Sequence, residues 1–503
     1  MIEIVLTLLL GLIGAVCADG FAHPRPQDST GLRRAPAIWL LCLVSLAIFG
    51  FFLAVSGNPY LALIFSIALH VLLVAASNAK YRMLGEPLLF SDFALFGAVF
   101  RHPQFYFSVL TIGQKLVGLI ALAALTAIFY WLFVPSLTMA IVGSAIALSA
   151  LILLMLSLRL QHIQNLAARP SLGRDAAALG LVPTLLLYWL RWREEKRAPA
   201  NAQMRASTAP SPTPATSAAK EPAPWIIVVV QCESFADPVE LFGDESNALA
   251  QLARSRQNAW LWGNLQVSGF GAYTMRTEYG VLFGRSEEEL GFRRFDPYLT
   301  ALNDTDLALP NKLGMERWRS VFVHPHDMRF YNRHLILPKA GFSELVGESL
   351  FATPAPQAGR YVTDAAVADK IIEIAHQAST PTFIYAVTME NHGPWANHGG
   401  AEIDQMIANY NRLVKAGDLM LGRLREGLAS MKKPALLTFF GDHRPSIPGA
   451  SEPGGPRHTP YVMVQFNADG RIASGREARL DLTPAQLHQA IVAKSRGSDF
   501  LLD

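Results

Sequence analysis

Two long stretches without a single charged side chain constrain this chain more than any other feature. No Asp, Glu, Lys or Arg occurs from Ala35 to Ala79, 45 residues, or from Leu116 to Leu158, 43 residues. A bilayer-spanning helix needs about 20 apolar residues, so each stretch holds two spans. Each is also broken near its middle, by Ser56-Gly57-Asn58-Pro59 and by Pro135-Ser136. The pattern predicts two helical hairpins, with spans at about 36–55, 60–78, 116–134 and 137–157. Buried core helices of soluble proteins run to about 14 charge-free residues.

Two further segments are apolar. Ile4–Cys17 lacks the basic leader of a signal peptide, since only Met1-Ile2-Glu3 precedes it, and reads as a short first span at 4–17. Residues 176–190, which run into Arg191-Trp192-Arg193, read either as a sixth span or as a helix lying in the interface. Neither hairpin tip carries Lys or Arg, whereas the flanks carry Arg25, Arg33 and Arg34, then Lys80, Arg82 and Arg101, then Arg159, Arg169 and Arg174. Positive-inside bias places those flanks in the cytoplasm. The C-terminal half then reaches the outside only if 176–190 also crosses.

After Arg197 the composition changes. Residues 198–224 form an Ala/Pro/Ser/Thr-rich tether with almost no large apolar side chain. The remainder, 225–503, has ordinary globular composition and reads as a catalytic domain, behind a membrane domain at 1–197. A net charge of +3 over 503 residues gives no footprint for nucleic acid. Three cysteines make no disulfide framework, and Cys232 reads as a small buried residue.

In the globular part, Trp225–Val230 is a wholly apolar, β-branched run, the mark of a strand buried on both faces of a parallel sheet. It ends in Gln231-Cys232-Glu233-Ser234. Ser320–Val323 ends in His324-Pro325-His326-Asp327, Thr382–Thr388 in Met389-Glu390-Asn391-His392, and Leu436–Phe440 in Gly441-Asp442-His443-Arg444. Helical patterns at Asp364–Gln377 and Ile403–Gly427 separate them. The alternation predicts an α/β domain with a mainly parallel sheet, in which ligands bind beyond the carboxyl ends of the strands. Four strands each deliver a carboxylate or an imidazole to that edge.

Between the first two lies Ser268-Gly269-Phe270-Gly271-Ala272-Tyr273-Thr274, with Glu278 one turn into a helix starting near Thr274. Taken alone, Thr274 is a helix cap and Glu278 a first-turn acid. Taken with its neighbours, Thr274 is a hydroxyl nucleophile at a helix start. Glu233, Asp442 and His443 form an O/O/N ligand set suited to Mn²⁺, Mg²⁺ or Zn²⁺, and a hydroxyl becomes a useful nucleophile at neutral pH beside such an ion.

Glu233 after a strand, Thr274 in Gly-x-x-Thr-x-x-x-Glu, Tyr331-Asn332-Arg333, Asn391-His392 and Gly441-Asp442-His443 occur in that order. The set resembles the lipoteichoic acid synthase type of membrane phosphoglycerol transferase, in the alkaline phosphatase/sulfatase superfamily. The resemblance implies an N-terminal multi-span helical membrane domain and a C-terminal sulfatase-like α/β domain. It implies one divalent ion, manganese, held by Glu233, Thr274, Asp442 and His443. Thr274 would take phosphoglycerol from phosphatidylglycerol as a covalent intermediate, with His392 as acid/base. Arg333, Tyr331 and His324 would contact the transferred group. The acceptor would be a glycan or polymer outside the cytoplasmic membrane of a bacterium.

The sequence departs from relatives of that family in two places. Arg444-Pro445 replaces the Gly-Glu that follows Asp-His in phosphoethanolamine transferases, and the Cys/Ser-x-Pro-x-Arg signature of true sulfatases is missing around Thr274. A phosphodiesterase or phosphatase of the same superfamily shares the first half-reaction. The residues also admit a phosphoethanolamine transferase and, in a different class, a non-catalytic membrane scaffold or sensor. The scaffold predicts loss of at least one of the four ion-binding residues.

Overall fold

The computed structural model describes residues 2–26, 33–94, 112–197, 225–353, 359–396, 402–473, 478–498 and 500. The predicted tether at 198–224 lies outside them, as does Arg101. The chain forms two compact units, Met1–Glu195 and Lys196–Asp503.

In the first unit, five helices among the described residues are long and apolar enough to cross a bilayer: α1 (Ile2–Gly20), α2 (Ala35–Ser56), α3 (Pro59–Leu84), α4 (Ile112–Leu132) and α5 (Leu137–Ser157). The breaks fall where turn chemistry puts them. Gly57, at φ 66°, ends α2, and the Asn58 side chain accepts the amides of Tyr60 and Leu61 to start α3, with Pro59 at the first helical position. Ser136 caps α5 in the same way through the Met139 amide.

Lipid offers helices no hydrophobic drive toward each other, so close backbone packing carries the association. Gly50 of α2 and Gly143 of α5 supply it. A Cβ on Gly50 would lie 2.6 Å from the Ala147 nitrogen, and one on Gly143 2.4 Å from the Ala54 nitrogen. His70, within the apolar run of α3, is satisfied by Ser45 Oγ at 3.0 Å and the Ser66 carbonyl at 2.8 Å.

Residues 176–190 do not form one helix. Gly180, at φ 88°, separates α6 (Leu172–Leu179) from α7 (Leu181–Arg197). The contacts of α7 lie with segments at the end of the bundle where α1, α3 and α5 finish. The Leu181 amide donates to Asp19 Oδ1 at 2.8 Å, Tyr188 donates to Asp175 at 2.7 Å, Arg191 donates to the Gln164 carbonyl, and the Trp192 ring packs at a tilt against Phe90, 5.4 Å between centres. Two of the basic flank residues are consumed there. Arg33 donates to the carbonyls of Asp19, Ala22, Pro24, Ala176 and Ala177, and Lys80 pairs with Asp92 at 2.6 Å.

The second unit is built on one eight-stranded sheet: β1 (Ile226–Cys232), β2 (Leu261–Leu265), β3 (Arg319–Val323), β4 (Glu344–Val346), β5 (Thr382–Val387), β6 (Ala435–Gly441), β7 (Thr459–Phe466) and β8 (Ala478–Arg479). Their spatial order is β4-β3-β5-β1-β6-β7-β2-β8, and β7 alone runs against the rest. The four strands expected from sequence are therefore the contiguous block β3-β5-β1-β6. Every residue of β1, β5 and β6 is buried, so each apolar side chain there contributes roughly 1.5–3 kcal/mol.

Helices cover both faces. On one, α10 (Thr274–Phe283) packs against α13 (Pro484–Ser495) over a core of Tyr279, Phe283, Phe322 and Tyr385. On the other lie α8 (Pro238–Phe242), α9 (Ala250–Arg256), α11 (Asp364–His376) and α12 (Ile403–Ser430), over Val228, Val230, Phe439 and Tyr410. The parallel block points its carboxyl ends to a single edge, where the polar residues gather.

Candidate active site

At that edge, Glu233, Asp442 and His443 each present a ligand atom, and the three atoms lie within 4.8 Å of one another. All three residues are buried. His443 Nε2 is 3.3 Å from Glu233 Oε1 and 3.5 Å from Asp442 Oδ2. The His443 Nδ1 donates to the Arg444 carbonyl at 3.0 Å, which aims Nε2 at the two carboxylates. Asp442 Oδ1 accepts the amides of Ser234 and His443 at 2.8 and 2.9 Å, while Oδ2 is buried with no hydrogen-bond partner.

The local backbone is shaped for this. Ser234 sits at φ 49°, a conformation that costs a non-glycine residue about 1–3 kcal/mol, and that turn aims its amide at Asp442 and its hydroxyl at Glu233. The carbonyl of Ser234 is held by Tyr410 at 3.0 Å and by Asn391 at 3.3 Å. Gly441 is required, since a Cβ there would lie 1.8 Å from the Phe235 carbonyl oxygen.

Electrostatics mark the trio as incomplete. Burial raises Asp442, and Glu233 beside it raises it further, to about 7. Burial alone would lower His443, but Asp442 and Glu233 outweigh it and push it up to about 9. Burial would likewise raise Glu233, yet the hydrogen bond to His443 and the charges of His392 and His443 hold it below the usual range. Two buried carboxylates facing one imidazole leave negative charge that a cation balances. The orphaned Asp442 oxygen and the inward Nε2 fit a divalent metal ion of the O/O/N class.

Thr274 is the first residue of α10, behind Tyr273 at φ 75° and Gly271 at φ 65°. Its hydroxyl lies near enough to Asp442 to help hold that carboxyl down against burial. The helix is pinned at that end, because Thr277 donates to the Asp442 carbonyl at 2.8 Å and Gln231 donates to the Thr274 carbonyl at 3.2 Å. The structure thus places Thr274 at the edge that carries the trio. His392 also lies near Glu233, with its Nδ1 2.7 Å from the Gly393 carbonyl and its ring 5.8 Å from that of Tyr361.

The residues expected to contact a transferred group form a separate cluster. Arg333 is 2% exposed, and its Nε and Nη2 donate to Glu278 at 3.1 and 2.5 Å. Its Nη1 lies 2.9 Å from His324 Nε2. His324 therefore accepts there and donates through Nδ1 to the Val387 carbonyl at 3.0 Å. Both ring nitrogens are occupied, so His324 supports Arg333 rather than meeting an incoming group. Burial, with the Arg333 charge beside it, holds it well below the usual imidazole range. Tyr331, at φ 56°, packs beneath the Arg333 guanidinium, 5.2 Å from ring centre to carbon.

Residues at this edge that sequence reasoning missed are Ser234, Thr277, Tyr361 and Tyr410, together with Glu278 in its role as the partner of Arg333. Only Glu278 left a signal, one turn after Thr274. Cys232 is buried and 3.8 Å from Asp364, which with burial raises its thiol well above the ordinary value.

Residues 226–489 match the sulfatase family, and the chain belongs to that family. The capsular polysaccharide biosynthesis protein RkpI of Rhizobium meliloti is 28% identical over 485 residues, covering 91% of this chain and 89% of that protein. A putative cyclic β-1,2-glucan modification protein of the same organism is 27% identical over 239 residues, covering 44% of this chain and 36% of that protein. Among solved structures, the lipooligosaccharide phosphoethanolamine transferase EptA of Neisseria meningitidis superposes with a TM-score of 0.52 at 15% identity, over 98% of this chain and 96% of its own. That likeness is one of fold, and it runs across both units of the chain.

Proposed function

We propose that the protein is a metal-dependent phosphoglycerol transferase that moves glycerol phosphate from phosphatidylglycerol to an extracytoplasmic glycan through a phosphothreonine-type ester on Thr274. The observation that carries this reading is the Thr274 hydroxyl at the start of α10, next to Asp442 of the buried, cation-deficient trio. A bound divalent ion, manganese by resemblance with Mg²⁺ and Zn²⁺ also fitting the ligands, would acidify that hydroxyl and offset charge on the phosphoryl oxygens. Glu233, Asp442, His443 and Thr274 would hold it.

The Thr274 hydroxyl gives its proton to solvent as Oγ1 attacks phosphorus, the bond from phosphorus to the diacylglycerol oxygen breaks, and that oxygen takes a proton from His392. An acceptor hydroxyl then attacks the same phosphorus and gives its proton back to His392, while the bond from phosphorus to Thr274 Oγ1 breaks and the threonine regains its proton from solvent. The Glu278-Arg333-His324 cluster with Tyr331 forms the fixed wall against which the glycerol phosphate sits, and Arg333 supplies positive charge.

Phosphoglycerol is favoured over phosphoethanolamine by the ordered motif set and by Arg444-Pro445 in place of Gly-Glu. A glycan acceptor is favoured by the relative named for capsular polysaccharide biosynthesis, which matches nearly the whole chain. We read α7 as an interfacial helix. The catalytic domain then follows five spans and faces the outside of a bacterial cytoplasmic membrane, with the N-terminus in the cytoplasm. Arg33 and Lys80, spent on internal contacts, then have a structural reason for lying on the outer side.

The test is donor choice. Full-length protein in detergent with Mn²⁺ is given phosphatidylglycerol or phosphatidylethanolamine, and diacylglycerol is followed. Release from phosphatidylglycerol is expected. Release from phosphatidylethanolamine alone would overturn the head group while keeping the chemistry.

A further inference from the structure

Beside the trio lies a second polar feature that the transfer chemistry does not use. A cleft of about 360 Å³ opens at the end of the sheet occupied by β7, β2 and β8. Trp262 and Asn264 of β2 form its floor, Arg256 from the end of α9 and Arg479 of β8 flank it, and Asp237 and Glu240 of the α8 segment close it with His458.

The cleft adjoins the metal trio through the chain itself. Arg444, the residue after His443, donates to Glu240 at 2.5 Å and to the His458 carbonyl at 2.8 Å, and His458 Nε2 is 2.8 Å from Glu240. Those contacts occupy Glu240, and Asp237 Oδ1 accepts the Val239 amide at 3.0 Å.

The two flanking guanidiniums are only loosely matched, Arg256 by the charges of Asp237 and Glu240 at longer range. Arg256 and Arg479 sit 5.4 and 5.8 Å from the centre of the same Trp262 ring, and the Arg256 Nε is buried without a hydrogen-bond partner. Arg479 has Asp481 at 3.8 Å, an exposed and loose pair. Two guanidiniums converging on one indole in a concave site, one of them with an unpartnered Nε, offer a place for an anion, and planar guanidiniums suit a carboxylate or phosphate. A lipid tail is disfavoured, because Trp262 is the one large apolar side chain of the lining. An amide and a carboxylate, at Asn264 and Asp237, suit the hydroxyl groups of a sugar.

We propose that this cleft is the acceptor subsite and that it takes a saccharide bearing an acid group, carboxylate or phosphate, clasped between Arg256 and Arg479. This deepens the transferase reading and rests on it only for the word acceptor. Bound there, the sugar would lie next to the Arg444 side of the trio.

The experiment measures binding without turnover. Full-length Thr274→Ala protein in detergent with Mn²⁺ is titrated calorimetrically with trigalacturonic acid, its methyl ester, maltotriose and glucose 6-phosphate. Trigalacturonic acid or glucose 6-phosphate is expected to bind, the stronger of the two identifying the acid group, with the ester and maltotriose weaker by roughly tenfold or more. Arg479→Ala, at an exposed position, lowers affinity for the acid ligand by about tenfold. Arg256→Lys, which keeps charge but loses the fork, lowers it as well. Equal binding of acid and ester, no binding of any of the four, or indifference to Arg479→Ala would overturn the proposal. Because turnover is absent, a failure of donor cleavage in the wild type leaves this result independent.

Discussion

The two halves of the candidate site are built on opposite plans. On one side, Glu233, Asp442 and His443 face one another with an oxygen unpartnered and negative charge in excess. On the other, every group is answered: Glu278 Oε1 accepts from Tyr298 and Arg333, Oε2 accepts from Arg333, and His324 is bonded through both nitrogens. The first half is a socket and the second a finished wall. A buried network that is satisfied adds rigidity, whereas one lacking a partner stores an affinity for what completes it.

The contrast can be broken from either side. The largest expected effect on stability is at the wall. Glu278→Ala strands the Arg333 guanidinium, 2% exposed, and should destabilise the catalytic unit by about 3–5 kcal/mol in denaturant titrations of the full-length protein. Glu278→Leu combined with Arg333→Met should recover most of that loss.

The socket should respond with the opposite sign. Asp442→Asn in the presence of chelator leaves stability unchanged or raised, because it removes a buried carboxylate raised to about 7 by burial and by Glu233. The same substitution should abolish stabilisation by added Mn²⁺, which in the wild type reaches about 2.7 kcal/mol at one hundred times the dissociation constant.

Acid should act on the wall side first. His324 is held well below the ordinary imidazole value, and His488, packed against α10 at Gly284, is lowered to about 4 by burial. The folded form refuses a proton that the unfolded chain accepts below about 6.5. Stability from both residues is therefore full above that pH and falls as the pH drops toward 4. His488→Gln should flatten that limb of a stability-against-pH curve.

The smallest effect belongs to Tyr361. Its hydroxyl is buried without a hydrogen-bond partner, and its ring lies edge-on to His392. Tyr361→Phe should shift stability by no more than about 0.5 kcal/mol, as a thermal melt would show.

How much of this was legible depends on how locally it is encoded. The four central strands were readable because a wholly apolar β-branched run such as Ile226–Val230 has few other structural outlets, and the socket residues follow those strands directly. The hairpin breaks were readable from Gly57-Asn58-Pro59 for the same reason. The outer strands β2, β4 and β8 were not, being short or half-buried, and β7 was missed as well, although all eight of its residues are buried. The wall was legible only as residue types. That Arg333 meets Glu278, 55 positions away, as half of a buried pair is set by tertiary packing with no local pattern. The same holds for Glu240 and Arg444, which lie 204 positions apart. Residues 176–190 were ambiguous because their composition suits both a span and a surface helix, and the break at Gly180 with contacts to Asp19, Gln164 and Phe90 is a tertiary outcome.

The central claim is that the socket arms Thr274 as a nucleophile. It is tested most directly by the mass of the peptide containing Thr274 after wild-type protein is mixed with phosphatidylglycerol and Mn²⁺ and quenched before acceptor is added. The account predicts an added phosphoglycerol on Thr274, released when a glycan acceptor is supplied, and no adduct in Thr274→Ala or in chelator. Diacylglycerol release at an undiminished rate from Thr274→Ala, with no adduct in the wild type, would contradict it.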